Sequence, residues 1–257
     1  MSDTPIEQWA DAIEAGDTPR VVQVYRQTAS TQDHARRLIA DRPNEAHGGV
    51  IVAEHQTHGR GRLGRSWHSP AGSALTVSLV HKVDQPTLDR VTFAAAVAVA
   101  EALDVALVSA SHTTAIKWPN DVYVGGRKIA GILVDVIDGF AIVGLGVNIH
   151  LREKQAAEAI EQPATSLAMC GAYADRLAVL LDVLKRLDEC LHRRPEASLH
   201  EVWRKKCAMF DQDIKLMHGD QVIEGRVIDL DPRAGLVVQT NNGETVRLHA
   251  ATTTVLP

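Results

Sequence analysis

Three strand-like segments follow one another between residues 121 and 149, and a tight-turn signal separates each from the next. The segments read DVYV, RKIAGILVDVI and FAIVGLGVNI. Gly125-Gly126 and Asp138-Gly139 lie between them, and both dipeptides are typical of short β-hairpins. Consecutive hairpins build an antiparallel sheet, so helices elsewhere in the chain must pack against it as separate elements. These patterns predict an α+β fold with a mixed, largely antiparallel sheet and flanking helices.

The rest of the first 210 residues supplies further strands and the helices. Period-two or continuous apolar patterns predict strands at VVQVYRQ, GGVIVAEHQ and ALTVSLV. Helical spacing and caps predict helices at PIEQWADAIEAG, STQDHARRLIAD, TLDRVTFAAAVAVAEALDVAL, RLAVLLDVLKRLDECL and SLHEVWRKKC.

The pattern of apolar residues and turn signals changes after Asp213. Short apolar runs alternate there with turn signals at Gly219-Asp220, Asp231-Pro232 and Asn242-Gly243. About 45 residues of this kind are typical of a small all-β module. We therefore predict two domains, comprising residues 1–210 and residues 211–257.

Composition excludes several classes of protein. The net charge is −5, whereas a non-specific nucleic-acid binder is usually basic. The acidic start, MSDTPIEQWADAIEAGD, lacks the apolar core of a signal peptide. The most apolar run, FAAAVAVAEALDVALV, contains Glu101 and Asp104, and we expect it to be too short and too charged to span a membrane. Cys170, Cys190 and Cys207 show no metal-binding spacing, so we expect a cytoplasmic protein with reduced thiols.

The segment GRGRLGRS, beginning at Gly59, fits two phosphate-binding patterns. It matches the dinucleotide fingerprint G-x-G-x-x-G, and it approaches the P-loop pattern with Arg65 in place of lysine. Both motifs need a helix after the loop, because the helix N-terminus holds the phosphate. The following residues, WHSPAGSALTVSLV, contain proline and glycine and then alternate like a strand. The usual meaning of both motifs is therefore rejected.

The same region carries an unusual concentration of positive charge. From His55 to His68 there are three arginines, three histidines, three glycines and no acid. Arg60, Arg62 and Arg65 stay charged at any physiological pH. We expect the segment to repel itself when empty and to close over an anion. The alternative is an ordinary solvated basic loop.

Two further segments carry candidate functional groups. Lys117, Asn120, Asp121 and Lys128 are concentrated in KWPNDVYVGGRKIAGILVDV, for which a surface hairpin is the alternative. In GLGVNIH, glycines at positions 144 and 146 of an apolar strand predict close approach of another backbone or a ligand. Asn148 offers a donor and an acceptor that suit the edge of a purine. The alternative there is a strand packed against a helix.

Taken together, these segments resemble a known family. STQD, EHQTHGRGRLGRSW, KWPNDVYVGGRKIAGILVDV and GLGVNIH occur in this order, and ATSL at 164–167 also fits. The chain resembles the biotin protein ligases, also called biotin–acetyl-CoA-carboxylase ligases, over nearly its whole length. The resemblance implies the biotin/lipoate ligase catalytic fold, similar to class II synthetases, followed by a small Src-homology-3-like barrel.

The resemblance also implies an activity. The family couples biotin to ATP, giving biotinyl-5′-AMP and pyrophosphate, and then transfers biotin to one lysine of a biotin carboxyl carrier domain. It implies Mg²⁺ as a cofactor and a homodimer. Regulatory members have an N-terminal helix-turn-helix domain that binds DNA. About 20 residues precede the strand at Val21, so we expect a ligase without DNA binding.

Residue roles follow from the same resemblance. The residues implied to bind biotin are Ser30, Thr31, Gln32, Gln56, Gly59, Arg60, Gly61, Arg62, Lys128 and Gly131. Those implied to bind ATP are Arg62, Arg65, Trp67, Lys117, Asn120, Asp121 and Asn148. Lys128 and Arg62 are implied to be catalytic and Asp121 to bind the metal. At Gln32 the family often has asparagine.

Three alternatives remain at this point. A lipoate ligase or octanoyltransferase has the same fold, but the transferase needs a cysteine nucleophile, and all three cysteines lie downstream of these motifs. A biotin-sensing DNA-binding regulator conflicts with the acidic charge balance. A nucleotide-binding module without catalysis leaves Lys128 and the basic loop unexplained.

Overall fold

The computed structural model describes residues 3–16, 21–159, 163–231 and 235–256, without the side chains of residues 158, 159 and 251. The helices in these ranges are α1 (Trp9–Glu14), α2 (Thr31–Asp41), α3 (Gln85–Leu107), α4 (Glu153–Ala159), α5 (Arg176–His192) and α6 (Glu196–Lys206). The strands of the larger sheet are β1 (Val22–Thr28), β2 (Val50–Gln56), β3 (Ala74–Lys82), β4 (Thr114–Lys117), β5 (Asp121–Val124), β6 (Arg127–Ile137) and β7 (Phe140–Asn148). Those of the smaller sheet are β8 (Asp213–His218), β9 (Gln221–Asp231), β10 (Gly235–Thr240), β11 (Thr245–Leu248) and β12 (Thr253–Val255).

The larger sheet has the strand order β1-β2-β3-β7-β6-β5-β4. Strands β1 and β2 are parallel, because α2 carries the chain from one to the other, and the remaining neighbours are antiparallel. The predicted meander of β5, β6 and β7 is present. Its turns place Gly125-Gly126 and Asp138-Gly139 at positive φ, the conformation that two-residue hairpins require. The predicted α+β fold with a mixed, largely antiparallel sheet is confirmed.

The two faces of this sheet have different coverings. On β3, Val80 packs in a small apolar cluster with Leu38 and Ile39 of α2. Leu75, Val77 and Leu79, which point the other way, belong to the main core with α3, α5 and α6. The sheet therefore separates an α2 side from a three-helix side.

Helix α3 contains most of the apolar run for which a membrane span was judged impossible from length and charge. The helical segment Gln85–Ala110 has 26 residues, and its most apolar 18-residue window has a mean hydropathy of 2.0, so its length and composition would suffice to cross a membrane. The expectation that it is too short and too charged was wrong. Its most apolar window is 67% buried inside the fold, which makes it a core helix. Its acids are paired, since Arg194 donates to Glu101 at 3.0 Å and Thr114 donates through its backbone N–H to Asp104 at 2.7 Å.

The C-terminal residues form a five-stranded antiparallel sheet in the order β11-β10-β9-β8-β12. Gly219-Asp220 and Asn242-Gly243 form turns as predicted, whereas Pro232 of the third predicted turn lies outside the described residues. The module packs on the larger domain. His200 of α6 lies 2.8 Å from the carbonyl oxygen of Leu230, and Arg204 lies 3.2 Å from a carboxylate oxygen of Asp229. The all-β module is confirmed, and the boundary at 210/211 stays a prediction.

Candidate active site

A cavity of about 610 Å³ lies on the α2 side of the larger sheet, between the sheet, the arginine-rich loop and the end of the C-terminal module. The structure brings most of the predicted site residues to its wall. These are Ser30, Thr31, Gln32, Gln56, Arg60, Gly61, Arg62, Arg65, Trp67, Lys117, Asn120, Asp121, Lys128, Gly131 and Asn148. Gly59 lies outside this wall and lines a neighbouring groove.

The arginine-rich loop is not followed by a helix. After β2 it makes one 3₁₀ turn at Arg62–Gly64 and closes through two backbone hydrogen bonds, from Gly61 to Arg65 at 2.7 Å and from Trp67 to Gly59 at 2.9 Å. Rejecting both phosphate-binding motifs is confirmed by this geometry. A side chain at Gly59 would place its Cβ 2.4 Å from the carbonyl oxygen of Trp67, so the close approach requires glycine.

Two of the three arginines of the loop have partners outside it, which corrects one expectation. Arg60 forms an ion pair with Asp33 of α2 at 2.8 Å. Arg62 donates to Asn120 at 3.3 Å and to the backbone carbonyl of Ala250 in the C-terminal module. The loop contains no acid of its own, but partners supplied from outside it offset part of its self-repulsion before any ligand binds. Burial lowers the pKa of Arg62 below its usual range.

Gly144 and Gly146 of β7 leave room for side chains from other elements of the fold. A Cβ at Gly146 would lie 2.3 Å from the indole ring of Trp67, and one at Gly144 would lie 3.1 Å from the amide of Gln32. The predicted close approach is present, but side chains make it rather than a backbone. Glycine at these two positions lets Trp67 and Gln32 pack directly against β7.

Lys128 lies at the start of β6, beside Asp121 of β5. Its ammonium is 2.6 Å from a carboxylate oxygen of Asp121 and 5.8 Å from the centre of the Trp67 ring. Hydrogen bonds to the segment 163–165 fix its backbone on both sides, with Lys128 N–H donating to Pro163 and Thr165 N–H donating to Lys128, each at 2.9 Å. The result is a fixed, largely buried cation in the cavity wall.

One end of the cavity is lined by the first residues of α2. Thr31 donates through its backbone N–H to the side-chain oxygen of Gln56 at 2.8 Å, and Ser78 of β3 donates to the side-chain oxygen of Gln32, also at 2.8 Å. Ser30 occupies the N-cap position, yet its hydroxyl makes no capping hydrogen bond. Ser30 is 1% exposed, and its Oγ has no hydrogen-bond partner among the described residues.

Two further buried polar atoms in the wall share this property. Asn148 is 2% exposed and donates to the carbonyl of Thr165 at 3.0 Å, but its Oδ1 has no hydrogen-bond partner in the described structure. The indole N–H of Trp67 is also buried without a partner there. Buried polar atoms are almost always paired in folded proteins. Three unpaired ones in one cavity indicate a ligand that supplies the missing hydrogen bonds.

Sequence reasoning missed the apolar wall and the contribution of the C-terminal module. Leu133 of β6 lies on the cavity face of the sheet, opposite Gly144 of β7, and Trp118 also borders the cavity. Val77, Ile132 and Leu145 border it from within the sheet, but their side chains belong to the main core on the other face. Thr254 and Val255 also line the cavity, and no sequence signal pointed to them.

Tyr123 was missed as well. Tyr123 lines the cavity beside Lys117, whose ammonium lies 5.4 Å from the centre of the Tyr123 ring. Burial, together with the charge of Asp121, raises the pKa of Tyr123 to about 12, so it stays neutral. No cysteine lies among the described residues of the wall.

Comparison with known proteins agrees with this geometry. The sequence model of the Biotin/lipoate A/B protein ligase family matches residues 24–151. Over 245 residues the chain is 32% identical to the biotin–[acetyl-CoA-carboxylase] ligase of Mycobacterium tuberculosis, covering 93% of this chain and 90% of that protein. The chain belongs to the biotin protein ligase family.

The chain is also similar to two further proteins, one compared by sequence and one by structure. It is 30% identical to the bifunctional ligase/repressor BirA of Bacillus subtilis over 228 residues, covering 84% of this chain and 68% of BirA. The biotin protein ligase from Aquifex aeolicus in complex with biotin and ATP superposes with a TM-score of 0.75 at 30% identity, covering 92% of this chain and 98% of that one. The shared fold extends through the C-terminal module.

Proposed function

We propose that this chain activates biotin with ATP to give biotinyl-5′-AMP and pyrophosphate, and then transfers biotin to a lysine of a biotin carboxyl carrier domain. The observation that carries the proposal is the set of three unpaired buried atoms, Ser30 Oγ, Trp67 Nε1 and Asn148 Oδ1, in the wall of one cavity. The identity of the ligands is inferred from family membership, because the related Aquifex aeolicus enzyme is described in complex with biotin and ATP.

Biotin occupies the α2 end of the cavity in this proposal. Its polar ring atoms pair with Ser30 and with the hydrogen-bonded set of Thr31, Gln32 and Gln56. Its apolar chain lies against the sheet beside Leu133 of β6. The backbone at Gly131 and the loop residues Gly59, Arg60 and Gly61 complete the binding surface.

ATP occupies the opposite end, towards the carboxyl end of β7. Asn148 Oδ1 and the indole N–H of Trp67 are offered to the nucleotide, and Lys117, Asn120 and Asp121 line the same end. Arg62 and Arg65 face the phosphates. Gly144 and Asn148 are four residues apart on β7, which places the two ends about 13 Å apart. The two substrates thus meet near Lys128.

The first step is a displacement at phosphorus. A carboxylate oxygen of biotin attacks the α-phosphorus of ATP, a P–O bond forms, and pyrophosphate leaves. Both reactants are anions, so the transition state needs fixed positive charge. Lys128 supplies it from the wall, and Arg62 and Arg65 supply it from the loop. No covalent bond to the protein is needed.

The residues present fit a magnesium ion carried by ATP phosphates. Asp121 is the one carboxylate among the described residues of the cavity wall, and Mg²⁺ is commonly held by one or two carboxylates together with substrate phosphates. Asp121 would hold the ion, which would supply further neutralisation of phosphate charge. Because Asp121 already pairs with Lys128, the carboxylate and the catalytic lysine are positioned by each other.

In the second step, the neutral amine of the carrier lysine attacks the acyl carbon of the adenylate. A C–N bond forms, AMP leaves, and the amine loses a proton. The loop protects the mixed anhydride from water until the carrier arrives. A cysteine-dependent transferase is disfavoured, because no cysteine lies among the described wall residues.

The proposal includes the acceptor protein, the compartment and the oligomeric state. The acceptor is the carrier domain of an acetyl-CoA or acyl-CoA carboxylase, and the protein acts in the cytoplasm as a homodimer. It binds no specific DNA sequence, in keeping with its net charge of −5.

One experiment tests the function directly. The protein is mixed with biotin, ATP and Mg²⁺, and pyrophosphate release and biotinyl-5′-AMP are measured by enzyme assay and mass spectrometry. A carrier domain is then added, and its mass is expected to rise by one biotinyl group. Replacing biotin by lipoate or octanoate is the control. Product with those acids and none with biotin would overturn the proposal.

A further inference from the structure

A second cluster of polar side chains lies on the other face of the sheet from the cavity. On β3, Leu75, Val77 and Leu79 point into the three-helix side and are buried. The same alternation puts His81 on that side, and it is 2% exposed. An imidazole thus takes a position that the pattern reserves for an apolar residue.

Helix α5 brings two more donor groups to this imidazole. Asp188 and His192 are four residues apart and therefore share one face of the helix. One ligand atom from each of His81, Asp188 and His192 lies within 4.8 Å of the other two. Three donors from two separate elements therefore converge on one small volume.

We propose that His81, Asp188 and His192 form a binding site for a divalent transition-metal ion, with zinc as its best match. Two imidazole nitrogens and one carboxylate oxygen are a donor set that zinc accepts, with water as the fourth ligand. The same set is a poor one for Mg²⁺, which prefers oxygen ligands in an octahedron. The site is separate from the proposed active site and needs neither biotin nor ATP.

The geometry needs only a small adjustment to hold the ion. Zinc–nitrogen bonds of about 2.0–2.1 Å place tetrahedral ligand atoms about 3.4 Å apart, which is inside the 4.8 Å limit that holds for the three ligand atoms here. His192 is exposed at the end of α5 and can move inwards, while His81 is fixed in the core.

Binding would connect the end of β3 to the end of α5. These elements pack against each other on the three-helix side, so a metal bridge between them would stabilise the folded state without touching the cavity. The ion binds the native arrangement and not the unfolded chain, and it should therefore raise the melting temperature.

The test is a zinc titration of chelator-treated full-length protein by isothermal calorimetry, with cobalt substitution followed by visible absorption. We expect one zinc per chain and a tetrahedral cobalt spectrum. His192→Ala and Asp188→Asn should each weaken zinc binding by about tenfold or more and abolish the zinc-dependent rise in Tm. His112→Ala, which removes an exposed histidine elsewhere, is the matched control and should change neither.

His81→Ala is informative only if circular dichroism shows a folded protein, and the two α5 variants do not depend on it. Equal zinc affinity in His192→Ala and His112→Ala, or no zinc binding in the wild type, would overturn the proposal. Either result would leave adenylate formation, measured separately, unaffected.

Discussion

Lys128 and Asp121 form an ion pair across two neighbouring strands, with 2.6 Å between the ammonium nitrogen and a carboxylate oxygen. Both side chains are about four-fifths buried in the cavity wall, at 21% and 18% exposure. A lysine with a fixed backbone and a carboxylate partner holds its charge at one point. Catalysis of a reaction between two anions depends on charge that is placed before the reaction begins.

Lys128→Ala is expected to keep the fold and lose adenylate formation. Removing a preorganised charge at a reacting centre costs about 10²–10³ in rate. The measurement is pyrophosphate release with saturating biotin and ATP. Lys205→Ala, at an exposed lysine paired with Glu201 on α6, is the control and should behave as wild type. Near wild-type turnover by Lys128→Ala would remove the lysine from the mechanism.

The same variant leaves Asp121 without its cation, so a loss of activity has two explanations: the missing charge at the reacting atoms, or a fold destabilised by an unpaired carboxylate. We expect Lys128→Ala to lower the melting temperature, and the double variant Lys128→Ala/Asp121→Asn to recover most of it, because no unpaired charge is then left in the wall. Activity should stay lost in the double variant. Recovery of activity with stability would mean that Lys128 acts only through the fold.

Ser30→Ala tests whether the unpaired hydroxyl exists for a ligand. A buried hydroxyl without a partner costs stability, so its removal should leave Tm unchanged or raise it. Loss of one hydrogen bond to biotin should raise KM for biotin by about tenfold. Ser78→Ala is the comparison and should lose stability, because the Ser78 hydroxyl lies 2.8 Å from both the Thr31 hydroxyl and the side-chain oxygen of Gln32. A Ser30→Ala variant that is less stable and has unchanged KM contradicts the assignment.

Gly146→Ala and Gly144→Ala separate the two ends of the cavity. The added methyl group at Gly146 meets the rigid Trp67 ring at 2.3 Å, and the one at Gly144 meets the movable amide of Gln32 at 3.1 Å. Overpacking of this kind costs about 1–3 kcal/mol, and the cost should be larger at Gly146. We expect Gly146→Ala to raise KM mainly for ATP and Gly144→Ala mainly for biotin. Identical effects on both substrates would contradict the order of the two sites.

The meander could be predicted from the sequence because its signals are local. Gly125-Gly126 and Asp138-Gly139 must adopt positive φ, and glycine is the residue that does so at least cost. Candidate residues such as Lys128 and Asn148 come from short segments on adjacent strands, and sheet pairing brings such segments together. Gly131 and Gly146, for example, are direct partners between β6 and β7.

Other features depend on contacts between distant parts of the chain. Strand β4 has four residues and no distinctive pattern, and it is a strand because it pairs with β5 at the sheet edge. The compensation of Arg60 by Asp33, and of Arg62 by the carbonyl of Ala250, joins residues 27 and 188 positions apart. No reading of the loop by itself reveals that such partners exist.

Arg62→Gly is expected to separate formation of the adenylate from its retention. Arg62 holds the loop to the body of the protein through Asn120 and to the C-terminal module through Ala250. Its guanidinium can also pair with the carboxyl–phosphate region of the intermediate. The variant loses these contacts and gains a fourth glycine in the loop, so the closed state loses binding energy while chain entropy favours opening.

Loss of charge-assisted hydrogen bonds of about 1.5–3 kcal/mol corresponds to release of the adenylate about 10- to 100-fold faster. Lys128 and Arg65 still serve the first step, so pyrophosphate release should persist. The measurements are dissociation of radiolabelled adenylate from the enzyme and biotin found on bystander proteins. Arg127→Gly, at an exposed arginine paired with Glu153, is the control. Two outcomes would contradict a role of Arg62 in retaining the adenylate. Biotin confined to the carrier would mean that Arg62 does not retain the adenylate, and absence of any adenylate would place Arg62 in the chemical step itself.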